Sequence, residues 1–332
     1  MATKGYHTYR GRGNTKKIIA AIALVLVILG AVGYLVVQNY VIYDDTGHAR
    51  LQLPKREKED TTLAEDEVNI EYVEPPEKWL PVDELHAKQL PDGTLKWKPE
   101  IDPQGTDEAI LIDVKRNNGG ITYTTAVEVP EEVYVEKADT MANLQTLLAD
   151  GRYTVAHMYA LCDSYFVRAH HEAAFLLESG GFWYDGDQWT WLDPTNPDVL
   201  GYITALCKEY AELGFDEILL DDFSYPWNGR TEAIAMQQDL DKVAVMQSFA
   251  QSLRSALPEN MVLSIVIRSD KMEEIGLSPE MIAACFDRVY IAPDVEATAL
   301  LSALPEDYDR TTRVVQMGYQ KPQSGSYVLL TQ

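Results

Sequence analysis

Eight short apolar runs alternate with stretches of helical periodicity over the last 250 or so residues, and that alternation leaves few folds open to the chain. The predicted strands are Leu85–Leu90, Ala109–Val114, Tyr153–Tyr159, Glu217–Asp221, Val262–Ile267, Arg288–Ala292, Arg313–Met317 and Tyr327–Leu330. Two of the intervening helices carry clear boundaries. In the first, Asn196 is placed to cap, Pro197 takes the first helical position, and Val199, Ile203, Leu206, Tyr210 and Leu213 share one face before Gly214 stops it. In the second, Met236, Leu240, Val243, Met246, Phe249, Leu253 and Leu257 form one stripe, ended by Pro258. The pattern predicts an α/β fold, a (β/α)8 TIM barrel over residues 83–332, and about 250 residues is the usual size for it. A doubly wound open sheet is the alternative. Such a sheet usually carries a glycine-rich phosphate turn after a strand, and this sequence has none, so no cofactor is expected.

The segment ahead of the barrel has a different composition. From Ile18 to Val37 the chain reads IIAAIALVLVILGAVGYLVV, a run without charge and long enough to cross a bilayer as a helix. Lys4, Arg10, Arg12, Lys16 and Lys17 precede it, and the first acidic residue is Asp44. The positive-inside rule then makes residues 1–17 a basic cytoplasmic tail and puts the C-terminal domain outside. The run is longer than the apolar core of a cleavable signal and lacks a small-x-small site, so residues 18–37 are expected to be a transmembrane signal anchor in the cell membrane. Residues 38–82, which include PKREKEDTTLAEDEVNIEYVEPPEKW, are charged, proline-bearing and poorly periodic, as in an extended acidic stalk. A net charge of −24 argues against nucleic acid as a partner, since phosphate backbones need basic surfaces. Cys162, Cys207 and Cys285 are too few and too widely spaced for a disulfide framework, and each sits in an apolar context.

In a barrel of this kind the chemistry lies at the C-terminal ends of the strands. Asp221 and Asp222 end the fourth strand in GFDEILLDDFSYP, and Asp113 and Lys115 end the second in LIDVKRNNGG. Asp163, Asp270 and Asp294 follow the third, fifth and sixth. Glu217, Leu219 and Asp221 share one face of their strand, so Asp221 is expected to point into the barrel and Asp222 toward the helices. The same aspartates could instead cap a following turn. After the third strand, GGFWYDGDQWTWLDP gathers Trp183, Tyr184, Trp189 and Trp191. Flat rings with few rotors suit stacking against sugar faces, and they serve equally to pack a loop onto the barrel. His157, His170 and His171 lack the His-x3-His or carboxylate spacing of a zinc site, and no metal is expected.

The stretches EAILIDVKRNNGGITY, WTWLDPTNPDVLGYI and ELGFDEILLDDFSYP resemble the glycoside hydrolase-like family of bacterial surface-anchored TIM barrels. That family shows an IDVKD-D-G-x-x-Y motif, a W-x-DP motif and GFDEIQFDYIRFP. The similarity runs from about Leu85 to the C-terminus and includes the closing GSYVLL. By match it covers Asp113, Lys115, Trp191, Asp193, Asp216, Glu217, Asp221 and Pro226. The chain departs from the pattern at Ser224, where the family has arginine, and at Val266, where its fifth strand has aspartate.

The resemblance implies glycoside hydrolysis by two carboxyl groups, one as acid and one as nucleophile or base. Asp221 is the expected nucleophile or base, with Asp270, Asp193 and Asp113 all open as its partner. Lys115 or Arg268 would keep a neighbouring carboxylate ionised. Lys115, Trp183, Trp189, Trp191, Asp193 and Asp222 are the expected substrate contacts. A non-catalytic surface carbohydrate-binding barrel and a structural envelope protein are the alternative classes. The expected partners are a glycan and, through the N-terminal helix, the membrane.

Overall fold

In the computed structural model of the chain, the described residues are 41–43, 49–51, 81, 83–97, 109–137, 139–236, 239–293 and 295–331. The expected tail 1–17, the expected span Ile18–Val37, most of the expected stalk and Asp294 lie outside them. Among the described residues, no helix is long and apolar enough to cross a membrane. The chain divides into two units, Met1–Tyr72 and Val73–Gln332. In the first, Val41–Tyr43 pairs antiparallel with Ala49–Leu51, a short ribbon within the stretch expected to be stalk.

The second unit holds a closed barrel of eight strands. They are β1 (His86–Gln89), β2 (Ala109–Lys115), β3 (Thr154–Tyr159), β4 (Glu217–Asp221), β5 (Val262–Ile267), β6 (Arg288–Ile291), β7 (Val314–Gly318) and β8 (Ser326–Leu329). Each pairs in parallel with the next, and β8 closes onto β1. All eight expected strands are present, with no boundary moved by more than one residue.

Parallel pairing and side-chain alternation stack the inward positions in layers. The middle layer is aliphatic and tightly buried, with Leu111, Val155, Leu219, Val266, Val315 and Val328 in one cluster. Below it, at the N-terminal end, Glu217 accepts hydrogen bonds from Tyr153, Ser264, Arg288 and Tyr290. Four donors neutralise and saturate a carboxylate that is otherwise cut off from water. Above the middle layer, at the C-terminal mouth, the inward positions become polar again.

Helices α1 (Thr140–Leu148), α2 (Pro197–Leu213), α3 (Lys242–Ala256) and α4 (Pro279–Cys285) follow β2, β3, β4 and β5. Helix α2 has the expected boundaries: Asn196 Oδ1 accepts from Asp198 N at 2.8 Å, and Gly214 closes the helix at φ 92°. An amide cap of this kind contributes about 1 kcal/mol. Helix α3 starts later than the apolar stripe suggests. Asp241 Oδ1 accepts from Ala244 N at 2.9 Å and fixes the first turn, so Met236 and Leu240 belong to the preceding loop. Apolar spacing alone does not encode that boundary, whereas the aspartate cap does.

Candidate active site at the barrel mouth

The mouth is organised by three consecutive strands. Asp113 on β2 is in register with His157 on β3, and β4 brings Asp221 to the other side of the same imidazole. His157 Nδ1 lies 2.6 Å from Asp113 Oδ1, and its Nε2 lies 2.9 Å from Asp221 Oδ2. Gln89 on β1 donates to both Asp113 oxygens at 3.2 and 3.0 Å. From the end of β5, Arg268 donates to Asp221 through Nε and Nη2, both at 2.5 Å. The guanidinium also reaches the Tyr159 hydroxyl and lies 3.6 Å from Asp222 Oδ1. Gln89, Asp113, His157, Asp221 and Arg268 thus form one continuous polar chain across the mouth.

The charges of this chain follow from its contacts. Burial opposes protonation of His157, but the two carboxylates it touches outweigh burial and push its pKa up to about 9. The ring is therefore an imidazolium at neutral pH, donating from both nitrogens. Burial would raise the Asp221 carboxyl, yet the Arg268 guanidinium and His157 hold it well below the usual carboxylate range. Asp222 follows the last residue of β4 and stays at the mouth, its Oδ1 3.6 Å from the Arg268 guanidinium, so it does not turn to the helices as alternation predicts. Burial, with the Asp221 charge beside it, lifts it to about 7. Trp227 Nε1 donates to Asp222 Oδ1 at 3.2 Å. Asp222 also sits at φ 48°, a left-handed conformation that aspartate tolerates better than most residues.

The expected site residues fall into separate groups. Asp113 and Asp221 share the mouth, as expected. Asp221 is fully enclosed, its oxygens taken by Arg268, His157 and the Asp222 backbone N–H, whereas the Asp113 side chain is 20% exposed. Asp270 is exposed on the loop after β5, beyond Arg268.

Lys115 is not a substrate contact. The β2–β3 register shifts between Asp113 and Lys115, so Lys115 faces the helices instead of the barrel axis. There it is fully buried, 3.0 Å from Asp163 Oδ2 and 2.6 Å from the Tyr159 carbonyl. Asp193 serves a turn, accepting from Thr195 N and Oγ1 at 2.9 and 2.7 Å ahead of α2.

Trp183 and Trp191 are core residues, 2% and 1% exposed. Their indole N–H groups are spent on Arg230 O and Asp185 Oδ2, both at 2.9 Å, so neither ring has a face free for a sugar. Trp189 is half-buried against the same core. Of the exposed rings, Trp227 touches a mouth carboxylate, its Nε1 3.2 Å from Asp222 Oδ1, and Tyr184 is exposed on the loop after β3. Trp227 was missed because it follows the proline of the aspartate motif and stands outside the aromatic loop.

The sequence pattern, which lacks zinc spacing, assigns His157 no role. Its signal was available: β2, β3 and β4 are consecutive, and each carries one charged or titratable side chain near the end of its inward face. Among the described residues, His170, Glu172 and Asp198 are the one group close enough to share a metal ion. That group is surface-facing and separate from the mouth residues.

Residues 101–296, more than half of the chain, match the family described as "Putative glycosyl hydrolase domain". No curated protein matches the chain. Among solved structures, it is similar to a hypothetical protein from Ruminiclostridium thermocellum at 26% identity, covering 47% of this chain and 82% of that one, with a TM-score of 0.43. It is similar to the α-galactosidase of Thermus thermophilus in complex with p-nitrophenyl α-D-galactopyranoside at 13% identity, over 64% of this chain and 42% of that one, with a TM-score of 0.40. It is also similar to Aspergillus fumigatus Ega3 in complex with galactosamine at 11% identity, over 76% and 85% of the two chains, with a TM-score of 0.39.

Proposed function

Because the chain belongs to this family of glycosyl hydrolase domains, we propose that its barrel cleaves a glycan at the mouth, with Asp222 as general acid and Asp113 as nucleophile or base. The observation that carries this reading is the contrast between the two carboxyl groups. Asp222 keeps its proton up to about pH 7, because burial and the neighbouring Asp221 charge both disfavour its ionised form. Asp113 is part-exposed, both its oxygens accepting from Gln89 and its Oδ1 lying 2.6 Å from His157 Nδ1. A buried carboxyl that keeps its proton suits the acid role, and a part-exposed one at the mouth suits the nucleophile or base.

In the proposed reaction Asp222 passes its proton to the glycosidic oxygen as the bond to the anomeric carbon breaks. The Asp113 carboxylate attacks that carbon or takes a proton from the water that does. Asp221 is a positioning residue: it fixes Arg268 and His157, and His157 in turn orients Asp113. The enclosure of Asp221 favours one competing reading, a barrel that holds a glycan without cleaving it.

Release of reducing ends from a panel of polysaccharides by the full-length protein in detergent separates the two. Turnover that disappears in Asp113→Asn supports the hydrolase. Binding without turnover in the parent supports the binder.

The domain is placed outside the cell by the same proposal, with Ile18–Val37 as a single-pass anchor after a basic tail. Protease added to intact cells should remove the barrel and spare the tail. A protected barrel would overturn the topology.

A further inference from the structure

Among the described residues, five large hydrophobic side chains are strongly exposed: Trp97, Tyr134, Tyr184, Trp227 and Tyr319, at 39% to 76%. Single exposed apolar residues are common on any protein surface. These five share a location. Trp97 follows β1, Tyr134 follows β2, Tyr184 follows β3, Trp227 follows β4 and Tyr319 follows β7. A parallel barrel gathers all such loops on the face that carries the mouth. In the closed order, β7, β8, β1, β2, β3 and β4 are consecutive neighbours, so the rings occupy one arc of the rim.

The loops bearing them are tied together sideways. Lys96, next to Trp97, pairs with Glu136 at 2.7 Å, and Glu136 accepts from the Tyr134 hydroxyl at 3.0 Å. The Tyr134 ring lies 6.4 Å from that of Tyr165 at the start of the β3 loop. Asn228, next to Trp227, donates to Asp187 of the Tyr184 loop at 3.0 Å. Near Tyr319, Leu330 N donates to the Gly318 carbonyl at 2.8 Å, and Thr331 N donates to Gln89 at 3.3 Å. The rings therefore stand on a braced rim.

We propose that this rim binds an extended glycan chain and feeds it past the mouth, an inference that rests on the glycan-cleaving reading above. The chemistry of the arc selects that occupant over a protein. Charged residues are depleted at the centres of protein interfaces. Here the arc surrounds Asp113, Arg268 and Asp222, and Arg116 pairs with Asp92 on the adjacent loops. Ring faces interleaved with ionic hydrogen-bonding groups suit sugars, which offer apolar faces edged by hydroxyls. The reach of the arc selects a polymer over a single sugar. Six neighbouring strands at about 4.8 Å spacing give a contour of roughly 24 Å before the loops splay outward.

The test uses the full-length protein in detergent with chitin, cellulose, amylose and peptidoglycan strands as probes, each compared with its disaccharide. At least one polymer should bind about tenfold more tightly than its disaccharide. Trp97→Ala with Tyr319→Ala should erase most of that ratio, and Trp97→Ala alone should lower it, while the thermal midpoint confirms that both variants fold. If the parent cleaves a disaccharide but shows no preference for length, or if the variants keep the preference, the rim proposal fails and the mouth reading stands. If no probe of either size is bound or cleaved, both fail.

Discussion

Asp113 and Asp221 are joined through a single imidazole, with His157 Nδ1 2.6 Å from the first and Nε2 2.9 Å from the second. Two carboxylates approach each other inside the barrel because a buried cation stands between them, and Arg268 supplies the second positive charge. The stabilising window of this arrangement follows from the direction of each shift. His157 is raised to about 9 in the fold, so its contribution is complete below its ordinary value near 6.5 and is lost as pH rises through 9. Asp221 is lowered, so its contribution is present above its ordinary value of 3.8 and is lost as pH falls below that.

His157→Gln keeps hydrogen-bonding capacity but removes the charge from between two acids. It should cost about 3 kcal/mol at pH 7, in line with breaking a buried ion pair. Urea unfolding at pH 7 and at pH 10 checks this. The difference between parent and variant should shrink at pH 10, where the imidazole of the parent is also neutral.

Asp222→Asn should have the opposite sign. The Asp222 carboxyl is raised to about 7, so the fold loses stability as pH rises from the ordinary value of 3.8 through 7, and the loss is complete above that. Asparagine removes the charge and tolerates the φ of 48°. The variant should be more stable than the parent by about 1–2 kcal/mol at pH 8.5 and no more stable at about pH 3, below the ordinary carboxyl value. Denaturation midpoints at the two pH values decide it.

Gly119 and Lys115 act on the same aspartate from two sides. Gly119 has φ +89°, and a Cβ there would lie 1.8 Å from Asp163 Oδ1. Gly119→Ala should therefore cost about 3 kcal/mol, through strain and displacement of Asp163. Lys115→Met leaves the buried Asp163 carboxylate without its cation and should cost a similar amount. Adding Asp163→Asn to Lys115→Met should recover part of that loss, because the uncompensated charge is then gone. Thermal unfolding of the three variants measures each step.

The strands were legible because each is an apolar run bounded by turn residues, and the inward direction of Asp221 followed from simple alternation. Alternation failed at Lys115, since nothing in LIDVKRNNGG marks the register shift that turns its side chain to the helices. The aromatic loop misled for a different reason. Trp183 and Trp191 are buried by groups of their own neighbourhood, Arg230 and Asp185, and composition cannot tell a ring that covers from one that is covered. Val266, where the resembled family has an acid, lies in the aliphatic layer. Arg268, two residues on, provides the charge that reaches Asp221. The strand carries valine where the resembled family has an acid and a guanidinium two residues further on, a relationship visible only in the folded strand.

The claim that Asp222 is the proton donor is tested most directly by the pH dependence of kcat/KM on a cleaved glycan. The account predicts a limb that falls as pH rises through about 7, where Asp222 gives up its proton. It also predicts a loss of about 100-fold or more in Asp222→Asn, with that limb absent. A profile flat across pH 7 in the parent, or an Asp222→Asn protein that keeps the parent rate and profile, would contradict it.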